Sequence, residues 1–178
     1  VTQLRTGAAS GAAFDALARK DAKVGALIGT GGQAATQLEA MLCARNLETV
    51  RIFDLDPERL NAFVERMRQE LGSYGAELIA AASSDEAVEG ADILVTMTPS
   101  LKPVFNADKV KPGCTVSCVG AYQPHMQEMD PKILPRASKI YFDSQSAVLA
   151  ESGDIIIPLN DGTISESAFT GELGDVLL

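Results

Sequence analysis

Six residues, Gly29-Thr30-Gly31-Gly32-Gln33-Ala34, carry the spacing G-x-G-x-x-A. They follow the apolar run KVGALIG and open a segment with apolar residues at Ala34, Leu38, Met41 and Leu42. That context reads as a buried strand turning sharply into a helix. Gly29 permits the turn. Gly31 removes a side chain that would keep a pyrophosphate off the backbone, and Ala34 lets the helix pack close to the strand. A helix start, with its unpaired N–H groups and positive dipole end, suits an anion. Asp54 ends a second strand, TVRIFD, where a carboxylate accepts hydrogen bonds from ribose hydroxyls. It also repels a 2′-phosphate, which favours NAD; Arg59, close in sequence, keeps NADP as the alternative. The competing explanation is a glycine-rich turn with no ligand.

Other residues sit where a dinucleotide site would need them. Thr96 and Thr98 end a later strand, ILVTMT, and strand carboxyl ends line the ligand crevice of an open α/β sheet. Their hydroxyls suit a ribose or an amide, although β-branched residues are also ordinary at a strand end. Gly120 suits a close backbone approach, and Tyr122 is placed to donate a hydrogen bond. His125 is either an acid/base group or a solvated loop histidine. Glu128 and Asp130 read most simply as solvated or capping carboxylates. Arg5 could grip a carboxylate with its two-pronged guanidinium, though on pattern alone it is a surface arginine. Cys114 and Cys118 share one side of a strand, but the chain has only three cysteines and one histidine. They read as buried filler, and no metal is expected. An odd number of cysteines without framework spacing suggests reduced thiols and a cytoplasmic protein.

The elements that must position these residues alternate. A helix over residues 3–19 carries the nearly side-chain-free stretch Gly7 to Ala13, so its backbone can approach a neighbour closely; Thr2 is its expected cap. Strands follow at 23–29, 49–54, 76–81, 92–98, 114–120 and 139–143, with helices after the first three. The strands are rich in Val, Ile and Leu with little polar alternation. That is the pattern of a parallel sheet covered on both faces, so the expected class is α/β, doubly wound and mostly parallel, a Rossmann-type NAD(P)-binding domain. After Asp154 the chain reads as loops and a short helix. A length of 178 residues allows one core, and a net charge of −9 without a basic cluster argues against nucleic acid and anionic membranes. The first residue is Val1 and the last residues lack a polar tail, so the chain is expected to be part of a longer protein.

Together, LRTGAAS (4–10), GTGGQA (29–34), ADILVTMTPS (91–100), PGCTVSCVGAYQP (112–124), ESGD (151–154) and GELGDVL (171–177) resemble the ornithine cyclodeaminase/mu-crystallin family. The resemblance runs in order along nearly the whole chain. It implies a parent about twice as long, in which residues 1–20 form a connecting helix and 21–155 the dinucleotide domain. Residues 156–178 would return toward a substrate and dimerisation domain, giving a homodimer. It also implies that Arg5 grips an amino-acid carboxylate near the nicotinamide. Cofactor contacts are implied at Gly32, Gln33, Asp54, Thr96 and the run Val119, Gly120, Ala121 and Tyr122. Two departures matter. Cyclodeaminases carry a catalytic aspartate where this chain has Tyr122, and a lysine where it has Met126. Tyrosine is neutral at pH 7 and a poor base, so simpler hydride transfer is favoured. The implied activity is an amino-acid dehydrogenase or cyclic-imine reductase, with ornithine cyclodeaminase as a further label. A mu-crystallin-like binding protein and a nucleotide-sensing domain are the alternatives. Alone, the chain would be inactive, because no partner domain closes the crevice.

Overall fold

The computed structural model describes residues 2–177. Five strands form one wholly parallel sheet: β1 (Val24–Ile28), β2 (Thr49–Phe53), β3 (Glu77–Ala80), β4 (Ile93–Thr96) and β5 (Thr115–Cys118). Their order is β3-β2-β1-β4-β5. The order reverses beside β1, which leaves a crevice at the carboxyl ends of β1 and β4. This is the Rossmann-type, doubly wound architecture that the alternating pattern predicts.

Side chains along each strand alternate between two cores. Leu27, Val50, Ile52, Ile93 and Val95 face the helices α1 (Thr2–Leu17), α2 (Ala34–Ala44) and α3 (Pro57–Leu71). Ala26, Ile28 and Leu94 face Val88 of α4 (Ser84–Val88), Phe105, Val110, Leu134 and Ile155. Helix α3 starts as its sequence demands: Asp56 caps it by accepting from the N–H groups of Glu58 and Arg59, and Pro57 occupies the first turn.

Helix α1 lies parallel to α2. A Cβ at Gly7 would meet Thr36 Cβ and its carbonyl oxygen at 2.9 Å, and one at Gly11 would meet Ala40 Cβ at 3.4 Å. A Cβ at Gly32 would lie 3.5 Å from Gln3 Nε2. These pairs advance together along both helices, so the starts of α1 and α2 share one edge of the molecule. The other end of α1 is fixed by the buried Arg45, which donates to the carbonyls of Asp15, Ala18 and Arg19 and pairs with Asp15 at 2.9 Å. These satisfy carbonyls that a helix end leaves free.

Three expectations change. Thr2 is already the first helical residue, and the position before it lies outside the described residues. The expected sixth strand is only Tyr141–Phe142 (β6), and it does not join the main sheet. It pairs in parallel with β7 (Gly171–Glu172) instead. Local alternation marks a strand but carries no information about a partner thirty residues away. Before Asp154, α5 (Gln145–Glu151) leads into α6 (Gly153–Asn160); the stretch after Asp154 is more helical than expected, because α6 continues to Asn160 and α7 (Leu173–Leu177) ends the described chain.

Candidate active site

The turn after β1 has the geometry of an anion cradle. Gly29 has φ +98°, a conformation that side chains resist, and Thr98 Cγ2 would sit 2.9 Å from a Cβ there. Gly31 is exposed, with no atom within 4 Å of where a Cβ would stand. Helix α2 begins after Gln33 without a side-chain cap. Among the described residues, no hydrogen bond takes up the N–H groups of Gly31, Gly32 and Gln33. Ala34 is fully buried beneath the turn. Open space beside unclaimed N–H groups at a helix start is what an anion needs.

Thr30 joins this turn to β2. Its N–H and its hydroxyl both donate to Asp54, at 2.8 and 2.6 Å. Asp54 also accepts from the Asp56 N–H at 3.0 Å and from the Arg59 guanidinium. Burial alone would raise the Asp54 carboxyl. The bonds from Arg59, Asp56 and Thr30 outweigh it and bring the group down to about 2. The carboxylate therefore sits beside the cradle, already satisfied by its own chain.

At the carboxyl ends of β4 and β5 a second cluster forms. Thr96 is fully buried, and neither its hydroxyl nor that of Thr98 has a partner among the described residues. Val119 and Gly120 are half-buried, Ala121 is buried, and Tyr122 is 59% exposed. Gln33 leaves its amide oxygen unpartnered at the mouth of the cradle. Arg5 is exposed on α1, at the edge shared by the two helix starts. His125 is exposed, as a solvated loop histidine would be.

Sequence reasoning missed Glu128. It is fully buried, not solvated. One carboxylate oxygen accepts the Thr98 N–H and the other the Gly120 N–H. Its own N–H and that of Met129 donate to Asp154 Oδ1, at 2.7 and 2.8 Å. Burial pushes Glu128 up to about 7 despite these donors, and burial likewise raises Asp154. Burial first, then the Asp154 and Glu128 carboxylates, push the Cys118 thiol well above its usual range. Burial also raises Cys114, to about 12, so neither thiol is activated as a nucleophile or ligand. The one signal in the sequence was Gly153-Asp154, where a small residue lets a helix start pressed against another segment. A Cβ at Gly153 would fall on the Met126 carbonyl.

Known proteins share this fold. A delta(1)-pyrroline-2-carboxylate reductase from Bacillus cereus is 35% identical over 177 residues, covering 99% of this chain and 53% of the relative. The structure of Thermococcus litoralis delta(1)-pyrroline-2-carboxylate reductase in complex with NADH and L-proline matches with TM-score 0.93 and 40% identity, over 99% of this chain and 53% of that one. An archaeal alanine dehydrogenase dimer with bound NAD matches with TM-score 0.89 and 34% identity, over 99% and 52%. The chain thus spans about half the length of each. The ornithine cyclodeaminase/mu-crystallin model matches residues 1–178, and the chain belongs to that family.

Proposed function

We propose that this chain is the dinucleotide-binding half of an NAD-dependent oxidoreductase acting at the α-carbon of an amino or imino acid, as a cyclic-imine reductase or amino-acid dehydrogenase. The single observation that carries the reading is the open space at Gly31 beside three unclaimed N–H groups, within a family whose solved relatives hold NADH or NAD. Gly29, Thr30, Gly31, Gly32, Gln33 and Ala34 form the pyrophosphate cradle, and Asp54 meets the adenosine ribose. Thr96, Thr98, Val119, Gly120 and Ala121 border the nicotinamide end, where the orphaned threonine hydroxyls offer donors to an amide. The bound nicotinamide supplies or accepts the hydride; the protein supplies position and field. Arg5 orients the substrate carboxylate, and Tyr122 donates a hydrogen bond without serving as a base. Residues 1–20 act as the connecting helix, 21–155 as the cofactor domain and 156–178 as the return toward a substrate domain that pairs two subunits. A cytoplasmic location fits the free thiols; no described helix is long and apolar enough to cross a membrane.

The test is Gly31→Val in the protein carrying this chain. Nothing lies within 4 Å of the new Cβ, so the fold should be undisturbed. The side chain would occupy the pyrophosphate's approach, and NADH affinity should fall by about 100-fold or more with an unchanged melting temperature. Unchanged affinity would remove the cradle from the mechanism. NADH-linked turnover, assayed across cyclic imino acids and 2-oxo acids with ammonia, then identifies the substrate.

A further inference from the structure

Glu128 is fully buried, and its carboxylate is bonded to the backbones of two loops at the crevice. Its two oxygens hold the main-chain N–H groups of Thr98 and Gly120. Those residues begin the loops after β4 and β5, the two strands on one side of the order reversal. The loops touch at this point, because a Cβ at Gly120 would fall on the Thr98 backbone. The glutamate's own segment is tied down from two directions. Its carbonyl accepts the Val104 N–H at 2.8 Å, and Gln127 N–H donates to Ser100 at 3.0 Å. Behind it, Asp154 at the start of α6 holds the Glu128 and Met129 N–H groups.

From this geometry we infer that Glu128, backed by Asp154, is a positioning residue that fixes the spacing of the Thr98 and Gly120 backbones and so shapes the wall against which the nicotinamide end of the cofactor lies. The inference rests on the dinucleotide reading above. Above about pH 7, where it is ionised despite its burial, the carboxylate suits the task because it accepts from two N–H groups at once and donates to neither. An amide in its place would turn an NH₂ group toward one of those donors. Cradle and ribose contacts, by contrast, are made by the turn after β1 and by Asp54, which Glu128 does not touch.

The experiment compares NADH with ADP-ribose, which keeps the adenosine and both phosphates but lacks the nicotinamide. Binding is titrated at pH 8.5, where Glu128 is ionised, to the protein carrying this chain and to its Glu128→Gln variant. The variant should bind NADH about 10- to 100-fold more weakly, while ADP-ribose affinity stays within about twofold. Equal losses for both ligands, or no loss for either, would overturn the inference, since a merely structural carboxylate makes no distinction between them. If the variant does not fold, amide exchange on the unaltered protein answers the same question. NADH must then protect the Thr98 and Gly120 amides more than ADP-ribose does, and equal protection overturns the inference. An unaltered protein that binds neither ligand overturns the cofactor reading itself and this inference with it.

Discussion

Asp54 is held by donors from Thr30, Asp56 and Arg59 before any ligand arrives. A ribose that uses this carboxylate must share it with the guanidinium. Arg59→Ala should therefore tighten NADH binding by several-fold, on the order of one charge-assisted hydrogen bond in competition, and weaken NADPH, whose 2′-phosphate loses a cation. Titration of both cofactors checks this; weaker NADH binding would show that the guanidinium itself holds the adenosine end. Residues of this kind differ in how openly the sequence displays them. Gly29 and Gly31 were legible because a strand-to-helix turn imposes their spacing locally, and Asp54 because it follows directly on a strand that the sequence marks. Glu128 was not, because no local pattern marks it and its partners Thr98 and Asp154 are 30 and 26 positions away.

At the scale of the element, the pairing of α1 with α2 depends on what each glycine faces. A Cβ at Gly7 would press on a backbone carbonyl at 2.9 Å, whereas one at Gly11 would make an ordinary contact at 3.4 Å. Gly11→Ala should stabilise the protein by about 0.5–1 kcal/mol through helix propensity. Gly7→Ala should destabilise it by about 1–3 kcal/mol, because α1 must shift to relieve the overlap. Urea denaturation of both variants checks the opposite signs, and a like sign for both would contradict the packing described. The Gly7 to Ala13 stretch marks a close approach in the sequence, but not α2 as the neighbour. Nor did it reveal that Arg45, beyond α2, would cap the far end of α1. Such facts arise from pairing at a distance, which local periodicity does not encode. The brief β6–β7 pairing escaped for the same reason.

For the whole molecule, the doubly wound sheet was legible because its strands are short, rich in Val, Ile and Leu, and alternate with helices or turns. Its pH response was not, because that depends on which carboxylates the fold buries. The folded chain holds a proton on Glu128 up to about 7, while the unfolded chain loses it near the ordinary value of 4.5. Between those values the native state binds more protons, so stability must fall as pH rises. The span corresponds to an effect on the order of 3 kcal/mol. Asp54 acts in the other direction and in another window: its contribution is present above its ordinary 3.8 and is lost as pH falls toward 2. The melting temperature should rise as pH is lowered from 7.5 to 5, then drop below 4, and the upper slope should flatten in Glu128→Gln. A melting temperature that climbs between pH 5 and 7.5 would contradict the burial of Glu128.

Thr30 spends both its N–H and its hydroxyl on Asp54, so the turn and the second strand are one rigid piece. The entropy of ordering that loop is lost when the chain folds, not when a ligand docks. Capture at this mouth therefore needs no backbone rearrangement and should be rapid, with little dependence on solvent viscosity beyond diffusion itself.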